Sequence, residues 1–384
     1  MRPATCVRCS PRTDVSAEFV YVHVPFCARR CSYCDFAIAV RREVPARAFA
    51  EQIGRELRLR AEAPRTVQTL YFGGGTPSHL GADGVSRLLD EVRAVCTPAP
   101  GAEITLEANP EDVSADAVRA WIAAGVNRVS LGVQSFHDDV LRWMHRVHDA
   151  SEALRAVATL RDAGLDALSI DLIFAVPASL GRDWGRDLEQ ALALQPTHIS
   201  LYGLTVEAGT PLGRWTERGD VSEAPDEHYE AQFLRAHSEL TGAGFEHYEV
   251  SNYAQPGHRA RHNSAYWHGV PYLGLGPSAH GFDGTVRRWN TPAFAAWSAA
   301  LRAGEDPVGG TDPLDDAARL AEGVYLGLRT RDGLVVEPEE QHLVDQWYAA
   351  GWVEPLGGQR WRCTPLGWLR LDALAAALTS RRSR

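Results

Sequence analysis

Short apolar runs, many of them β-branched, alternate with amphipathic segments over the first half of the chain. The runs predict strands at residues 19–24, 67–72, 103–107, 128–133, 167–174 and 198–202. Helical spacing occurs between them at residues 45–63, 82–95, 114–124, 151–163 and 183–194. Strands that alternate with helices favour a parallel sheet with right-handed connections. Six such units are too few for a closed eight-stranded barrel. The pattern therefore predicts an α/β fold built on a partial (β/α)6 barrel of the TIM type, with its chemistry at the carboxyl ends of the strands.

The ends of the predicted helices carry residues that suit helix termini. Ser114 and Ser151 are predicted N-caps, and Gly125 and Gly164 stand where a helix C-terminus favours a positive φ angle. We expect a disordered leader at residues 1–18 and the barrel at residues 19–205.

The second half of the chain has a different amino-acid composition. Residues 206–312 are rich in Gly, Pro, His and aromatic residues, which predicts an irregular extension packed across the barrel. Residues 315–328 and 338–350 read as helices, and they are followed by a hairpin around Gly357-Gly358 and a last helix from Pro365. Residues 313–384 are therefore predicted to form a small winged-helix-like α/β domain.

Composition narrows the classes of function. The chain has 384 residues, 45% hydrophobic and 23% charged, with a net charge of −10, which argues against nucleic-acid binding. All 39 basic residues are arginine, so no lysine is present for Schiff-base or Walker-type phosphate chemistry. The sequence contains no apolar stretch of transmembrane length and no signal-peptide pattern at its start. These features predict a cytoplasmic protein, in which cysteines serve more often as ligands than as disulfides.

Three cysteines lie within eight residues directly after the first predicted strand. Cys27, Cys31 and Cys34 form a C-x3-C-x2-C triplet. Thiolates hold iron–sulfur clusters, and a cubane of four irons ordinarily needs four of them. Three thiolates leave one iron open to a small chelating molecule. The alternative is three buried or zinc-binding cysteines. The other cysteines are interpreted as part of the leader or as packing residues: Cys6, Cys9, Cys96 and Cys363.

Glycine or acidic residues lie in, or directly after, three of the predicted strands. Gly73-Gly74-Gly75 lets backbone atoms approach a ligand without a Cβ in the way, although the string alone also fits a simple loop. Glu107 ends the third strand, where a carboxylate can accept hydrogen bonds from ribose hydroxyls; a solvated or capping glutamate is the alternative. Asp171 lies in an apolar strand and needs a donor, either a ligand hydroxyl or an arginine in a structural ion pair.

With these motifs in this order, the chain resembles the coproporphyrinogen-oxidase-like branch of the radical S-adenosylmethionine (SAM) superfamily, from residue 19 to the C-terminal domain. The resemblance implies that Cys27, Cys31 and Cys34 hold a 4Fe–4S cluster whose open iron binds S-adenosylmethionine. It also implies a set of S-adenosylmethionine-binding residues, of which the last three match positions for a second molecule: Tyr21, Tyr33, Gly74, Gly75, Thr76, Glu107, Gln134, Arg146 and Asp171.

Two features separate the members of this branch. The decarboxylating dehydrogenases have a further cysteine where this chain has Phe36. The string H-N-x-x-Y-W is similar to the haem-binding motif of the branch's haem chaperones, and it implies a haem site formed by His262, Asn263, Tyr266 and Trp267. One departure is Ala175, where the branch usually has glycine.

The resemblance therefore implies a haem chaperone that binds haem and delivers it to an acceptor protein, expected to be a respiratory haem protein. Histidine is a common axial ligand of haem iron, although without the resemblance His262 would be interpreted as a structural histidine. The alternative is an oxygen-independent coproporphyrinogen III dehydrogenase. A DNA-associated regulator is disfavoured by the net charge of −10. The sequence leaves open the oligomeric state, a transient association with a membrane, and whether S-adenosylmethionine is cleaved.

Overall fold

The computed structural model describes residues 18–60 and 65–383. The predicted leader and its Cys6 and Cys9 lie outside the described residues, apart from residue 18. The strands are β1 (Phe19–Val24), β2 (Phe26–Cys27), β3 (Ala39–Val40), β4 (Arg65–Gly74), β5 (Cys96–Ala108), β6 (Arg128–Gln134), β7 (Leu168–Phe174), β8 (His198–Gly203), β9 (Glu246–Glu249), β10 (Asn252–Ala254), β11 (Leu273–Leu275), β12 (His280–Phe282), β13 (Val286–Asn290), β14 (Val308–Pro313), β15 (Leu334–Val335), β16 (Val353–Gly357) and β17 (Arg360–Cys363).

Helices connect the barrel strands and also occur in the extension and in the C-terminal domain. The α-helices are α1 (Ala46–Arg60), α2 (Gly81–Arg93), α3 (Ala115–Ala124), α4 (Asp138–Trp143), α5 (Ala150–Asp162), α6 (Trp184–Ala193), α7 (Pro211–Glu217), α8 (Asp226–Gly242), α9 (Arg261–Trp267), α10 (Phe294–Ala303), α11 (Asp316–Arg329), α12 (Gln341–Ala349), α13 (Pro365–Trp368) and α14 (Leu371–Arg382). Short 3-10 helices span Pro77–Leu80, Pro110–Asp112, Ala178–Leu180 and Pro338–Glu340. Across residues 18–60 and 65–383, no helix combines the length and the apolar character needed to cross a bilayer.

The six predicted strands form the centre of a nine-stranded sheet. They lie side by side and parallel in the order β1-β4-β5-β6-β7-β8. The first strand has the predicted bounds, and the structure confirms the α/β class with a parallel, partial barrel. Parallel strands bring their carboxyl ends to one edge, so the motifs that follow them in the sequence meet in space.

The extension completes both edges of this sheet, which the sequence did not predict. At one edge β11 pairs in parallel with β1, and at the other β10 pairs antiparallel with β8 and carries β9 beyond it. Within the extension, these three segments are regular strands that join the barrel sheet. Strands of three or four residues are too short to show a period in sequence, and their pairing depends on partners far away in the chain.

Helix caps agree with the sequence at three of four positions. The Ser114 side chain accepts a hydrogen bond from the Ala117 backbone N–H, and Gly125 and Gly164 adopt φ angles of +98° and +83°. The prediction of Ser151 as an N-cap is wrong. Asp149 caps α5 instead, in a capping box with Glu152, because its carboxylate accepts from the Glu152 N–H while Glu152 accepts from the Asp149 N–H.

A buried carboxylate on α1 ties the extension to the barrel. Glu56 accepts hydrogen bonds from the Gly276 backbone N–H at 2.9 Å, from Asn290 Nδ2 at 2.6 Å and from Trp297 Nε1 at 3.0 Å. Its charge is paired with Arg60 at 3.2 Å. These four contacts compensate for the burial of the Glu56 charge. They also hold the segment that contains β11 against the barrel.

The C-terminal domain has the predicted helices and hairpin. Its three-stranded antiparallel sheet has the order β15-β17-β16, and α14 packs against α11. The ring centroids of Trp368 on α13 and His247 on β9 are 4.3 Å apart. Buried apolar side chains run as one continuous core from the barrel into this domain. The domain is therefore packed against the sheet edge that β9 and β10 form.

Candidate cluster and cofactor site

A cavity of about 490 Å³ opens at the carboxyl ends of the parallel strands. Most of the predicted cluster and S-adenosylmethionine residues lie around it. The lining includes Cys27, Cys31, Tyr33, Cys34, Gly74, Gly75, Thr76, Glu107, Gln134, Arg146 and Asp171. The structure thus brings together eleven side chains or backbone positions that are spread over 145 residues of sequence, from Cys27 to Asp171.

The cysteine loop is held in place by hydrogen bonds to its sulfur atoms. Thr76 Oγ1 donates to Cys27 Sγ at 3.4 Å, and Arg146 Nη1 donates to Cys31 Sγ at 3.4 Å. Cys27 is buried, whereas Cys31 and Cys34 are half-buried. Burial raises the pKa of Cys27 to about 11. A thiolate at this position therefore needs a compensating positive charge, which iron supplies, so these residues fit a cluster.

The glycine string packs directly against the cysteine loop. A Cβ at Gly75 would lie 2.8 Å from the Phe26 carbonyl oxygen and 3.0 Å from Cys27 Sγ. Gly74 has a φ angle of +110°, and a Cβ there would lie 2.5 Å from the His23 ring. Any larger residue would separate the two loops. Glycine is therefore required at these positions by close approach as well as by backbone conformation.

Glu107 is a buried carboxylate held by two donors at the wall of the cavity. Tyr71 Oη donates to its Oε1 at 2.7 Å, and the Gly74 backbone N–H donates to its Oε2 at 3.0 Å. Burial raises the pKa of Glu107 from 4.5 to about 7, and the charge of Asp171 adds to this effect while the two hydrogen bonds oppose it. Glu107 lies at the end of a strand and has a pKa close to neutral pH. A carboxylate of this kind can accept hydrogen bonds from the hydroxyl or ammonium groups of a ligand.

Arg146 and Gln134 supply further polar atoms to the cavity wall. Besides Cys31, Arg146 donates from Nη2 to Asn109 Oδ1 at 2.6 Å and to the Gly132 carbonyl oxygen at 2.8 Å. Gln134 adopts a φ angle of +68°. Within the described residues, its buried Oε1 has no hydrogen-bond partner. A buried, unpaired acceptor at a cavity fits a ligand that brings the missing donor.

Asp171 finds its donors among serines. Ser130 Oγ lies 3.0 Å from the Asp171 carboxylate and Ser169 Oγ lies 3.2 Å from it. From Ser169 the polar contacts continue down the barrel to His198 Nδ1 at 2.8 Å, and from His198 Nε2 to Tyr248 Oη at 2.8 Å. The hydroxyl groups of Ser130 and Ser169 are therefore the donors to Asp171, and the charge of Arg128 also acts on it.

Tyr21 is the predicted S-adenosylmethionine residue that does not line the cavity. Its hydroxyl lies 3.0 Å from His23 Nδ1, deeper in the barrel. Because the His23 ring lies against Gly74, Tyr21 contacts the glycine string through that ring.

The H-N-x-x-Y-W segment lies away from this cavity. It forms α9, whose first residues bind β5: the backbone N–H groups of Arg261 and His262 donate to the Glu103 carboxylate at 2.9 Å and 3.0 Å. Glu103 precedes Glu107 on the same strand by four residues, and at about 3.3 Å per residue this places the segment roughly 13 Å below the cavity wall. The helix closes the amino-terminal end of the barrel.

His262 is fully buried there, and both ring nitrogens are engaged. Nδ1 lies 2.6 Å from Thr69 Oγ1, and Nε2 lies 2.7 Å from Tyr266 Oη. The ring also stacks on Tyr71 at 5.1 Å. Burial lowers the pKa of His262 to about 3. Ligation of haem iron by His262 stays a prediction, and it requires one of these two hydrogen bonds to break.

The other two residues of the motif are half-buried at the surface of α9. Arg329 lies over the Trp267 ring, with its guanidinium carbon 4.1 Å from the ring centroid. Asn263 follows His262 on the same helix. The structure therefore keeps the four motif residues together but separates them from the cluster residues.

Sequence reasoning missed several residues of the cavity wall, among them Asn109, Tyr202 and His145. Asn109 accepts a hydrogen bond from Arg146, Tyr202 is the last residue but one of β8, and His145 directly precedes Arg146 in the chain. Asn109 directly follows β5 and Tyr202 lies near the end of β8, and a position at a strand end is a signal that could have found them. His145 follows the short helix α4 and carries no signal of its own.

Ala175 stands where the related branch usually has glycine, and the backbone conformation at this position shows what the difference means. Ala175 adopts a φ angle of +57°, a left-handed conformation that favours glycine. We expect Ala175→Gly to leave the free energy of unfolding within about 1 kcal/mol of the parent, because relief of strain offsets the lost methyl burial and the extra freedom of glycine. The control Ala156→Gly, in the middle of α5, should cost about 2 kcal/mol. Urea denaturation checks both; an equal loss in the two variants would contradict the prediction.

Comparison with known proteins places this arrangement in a class. The radical SAM superfamily profile matches residues 21–183. Haem chaperone HemW of Mycobacterium tuberculosis is 39% identical over 322 residues, covering 82% of each chain, and that of Escherichia coli is 40% identical over 265 residues, covering 68% of this chain and 69% of its own. Mitochondrial radical S-adenosyl methionine domain-containing protein 1 of Bos taurus is 34% identical over 97% of this chain and 89% of its own.

A solved structure agrees with the fold. Coproporphyrinogen III oxidase (HemN) from Escherichia coli matches with a TM-score of 0.80 and 21% identity, covering 96% of this chain and 92% of its own. The fold and the cysteine-lined cavity define a radical SAM protein, a class that carries a 4Fe–4S cluster and S-adenosylmethionine. Within that class the chain belongs to the family of the HemW haem chaperones.

Proposed function

We propose that this chain is a haem chaperone that binds haem and passes it to an acceptor protein. The observation that carries the proposal is the identity of 37–39% to proteins named haem chaperones over 82% of this chain. Phe36 supports it, because the decarboxylating dehydrogenases are expected to have a cysteine at that position. We propose further that delivery takes place in the cytoplasm, where thiolate ligands stay reduced, and that the acceptor is a respiratory haem protein.

In this proposal the cavity holds the cluster and S-adenosylmethionine. Cys27, Cys31 and Cys34 are the cluster ligands, and a bound cluster with S-adenosylmethionine supplies one-electron chemistry. The cavity-lining residues of the predicted set hold the nucleoside, with Glu107 and Gln134 as acceptors. Tyr21 supports the glycine string through His23.

The second candidate is a coproporphyrinogen III dehydrogenase. The observation that favours it is the HemN-like fold, which extends over 96% of this chain. At 21% identity the likeness concerns the fold, and a fold hosts several functions. The two candidates differ in their product: the chaperone releases haem unchanged, whereas the dehydrogenase converts a porphyrinogen.

The proposal is tested with the full chain, reconstituted anaerobically with iron and sulfide. We expect ferric haem to bind at one equivalent, with a shift of the Soret band, and to move to an apo b-type cytochrome. In parallel, His262→Gln and His268→Ala are titrated; a changed Soret band in the first variant alone would favour His262 as a haem ligand. Binding far below one equivalent would contradict the chaperone, and repeated turnover of coproporphyrinogen III would favour the dehydrogenase.

A further inference from the structure

Exposed apolar side chains gather at the mouth of the cavity. Among the described residues, Phe36, Val147 and Tyr202 are exposed by 57%, 53% and 45%, and all three line this cavity. They form what we call the apolar rim. Single exposed hydrophobic residues are ordinary, but several around one opening mark a place where a ligand covers them. The cysteines and the glycine string line the same cavity, so a flat apolar molecule that covers the rim would lie next to them.

One histidine lies on this rim. His145 is the histidine among the cavity-lining residues of the described chain, two positions before Val147. It adopts a φ angle of +61°, and its ring meets the Trp215 ring edge-on at a centroid distance of 5.4 Å. A histidine in the left-handed region is uncommon, and such strained positions cluster at functional sites.

The surroundings of the His145 ring favour its neutral form, which is the form that binds a metal. Burial lowers the pKa of His145 and the charge of Arg29 lowers it further, while a hydrogen bond to the Arg30 backbone opposes both effects. Histidine ligands usually engage one ring nitrogen with a backbone carbonyl and bind the metal through the other. His262 differs, because both of its nitrogens are already paired.

A cation lies beside this histidine. Arg29 is exposed, lines the cavity and is close enough to His145 to affect its charge. Guanidinium groups bind carboxylates with two parallel hydrogen bonds. The rim therefore combines apolar surface for a macrocycle, an imidazole for its iron and a cation for a propionate.

We propose that haem docks on the apolar rim at the mouth of the cluster cavity, with His145 as its axial ligand. This inference rests on the proposed function and locates its cargo. The deep part of the cavity keeps the cluster and S-adenosylmethionine, and haem covers its opening. Haem is thereby held at the face of the barrel opposite to α9.

The test uses the reconstituted full chain, ferric haem and the variant His145→Gly. Glycine adopts a φ angle of +61° without strain, and iron content and S-adenosylmethionine binding report that the site is intact. We expect the haem dissociation constant to rise about tenfold or more and the EPR signal of imidazole-ligated ferric haem to disappear. Added imidazole should restore the signal, because it fills the space that the ring vacates.

Two further variants sharpen the test. Phe36→Ser should weaken haem binding severalfold while the axial signal stays, and His268→Ala, an exposed histidine beside α9, should change neither. An unchanged affinity and EPR signal in His145→Gly would overturn the rim as the ligating site while leaving the chaperone proposal standing. A wild-type chain that binds no haem would instead overturn the proposed function, and the inference with it.

Discussion

Replacing Cys31 with alanine is expected to abolish the cluster of the anaerobically reconstituted protein. The wild type should hold about four irons per chain and absorb broadly near 400 nm, whereas the variant should hold fewer than about one. The reason is that two thiolates cannot retain a cubane that already lacks a fourth protein ligand. Cys31 is half-buried in a loop at the cavity, so its loss leaves the apolar core intact. Iron and sulfide analysis, together with the melting temperature, measures both effects.

The matched control is Cys363→Ala. Cys363 is buried in β17 of the C-terminal domain, away from the cavity. We expect this variant to keep its full iron content and to lose about 1–2 kcal/mol of stability through the cavity it creates. Retention of iron and sulfide by Cys31→Ala would contradict the ligand assignment, because some other side chain would then hold the cluster.

Replacing Glu107 with glutamine is expected to weaken S-adenosylmethionine binding and to stabilise the free protein at the same time. The dissociation constant should rise about 10- to 100-fold, since a hydrogen bond to a charged group contributes roughly 1.5–3 kcal/mol. The gain in stability should be about 1 kcal/mol at pH 8, because glutamine removes a buried charge. Calorimetric titration and urea denaturation measure the two quantities.

The pH dependence follows from the raised pKa. Glu107 has a pKa of about 7 in the folded chain and 4.5 as its ordinary value. Between these values the folded state holds more protons than the unfolded state, so the contribution of Glu107 to stability falls as pH rises from 4.5 to 7. The stabilising effect of Glu107→Gln should therefore be small at pH 4.5 and complete above pH 7. In the wild type, S-adenosylmethionine binding should strengthen as pH rises through 7, when the carboxylate forms.

The control is Glu103→Gln on the same strand. Glu103 accepts hydrogen bonds from the Arg261 and His262 backbones at the other end of the barrel. We expect this variant to lose about 1–2 kcal/mol of stability and to keep its S-adenosylmethionine affinity. If Glu107→Gln lost stability as Glu103→Gln does, Glu107 would be a structural carboxylate and its assignment to the ligand would fail.

The parts of this protein that the sequence determines by itself are local. Apolar runs and helical spacing predicted the six parallel strands, and the C-x3-C-x2-C and Gly-Gly-Gly strings predicted a shared site, because strand ends in a parallel sheet meet at one edge. The caps at Ser114, Gly125 and Gly164 were also predictable from neighbours in the chain.

The tertiary structure decided those features that depend on contacts between residues far apart in the chain. Folding alone brings together the segments that form three features of the molecule. These are the short strands at the two edges of the sheet, the contacts of Asp171 with its serine donors, and the position of His145 on the cavity rim. The same holds for His262: its motif is visible in six letters, but whether its nitrogens are open or paired depends on Thr69, which lies 193 residues earlier. A sequence motif names a side chain, and the packing around that side chain determines which of its atoms are available for chemistry.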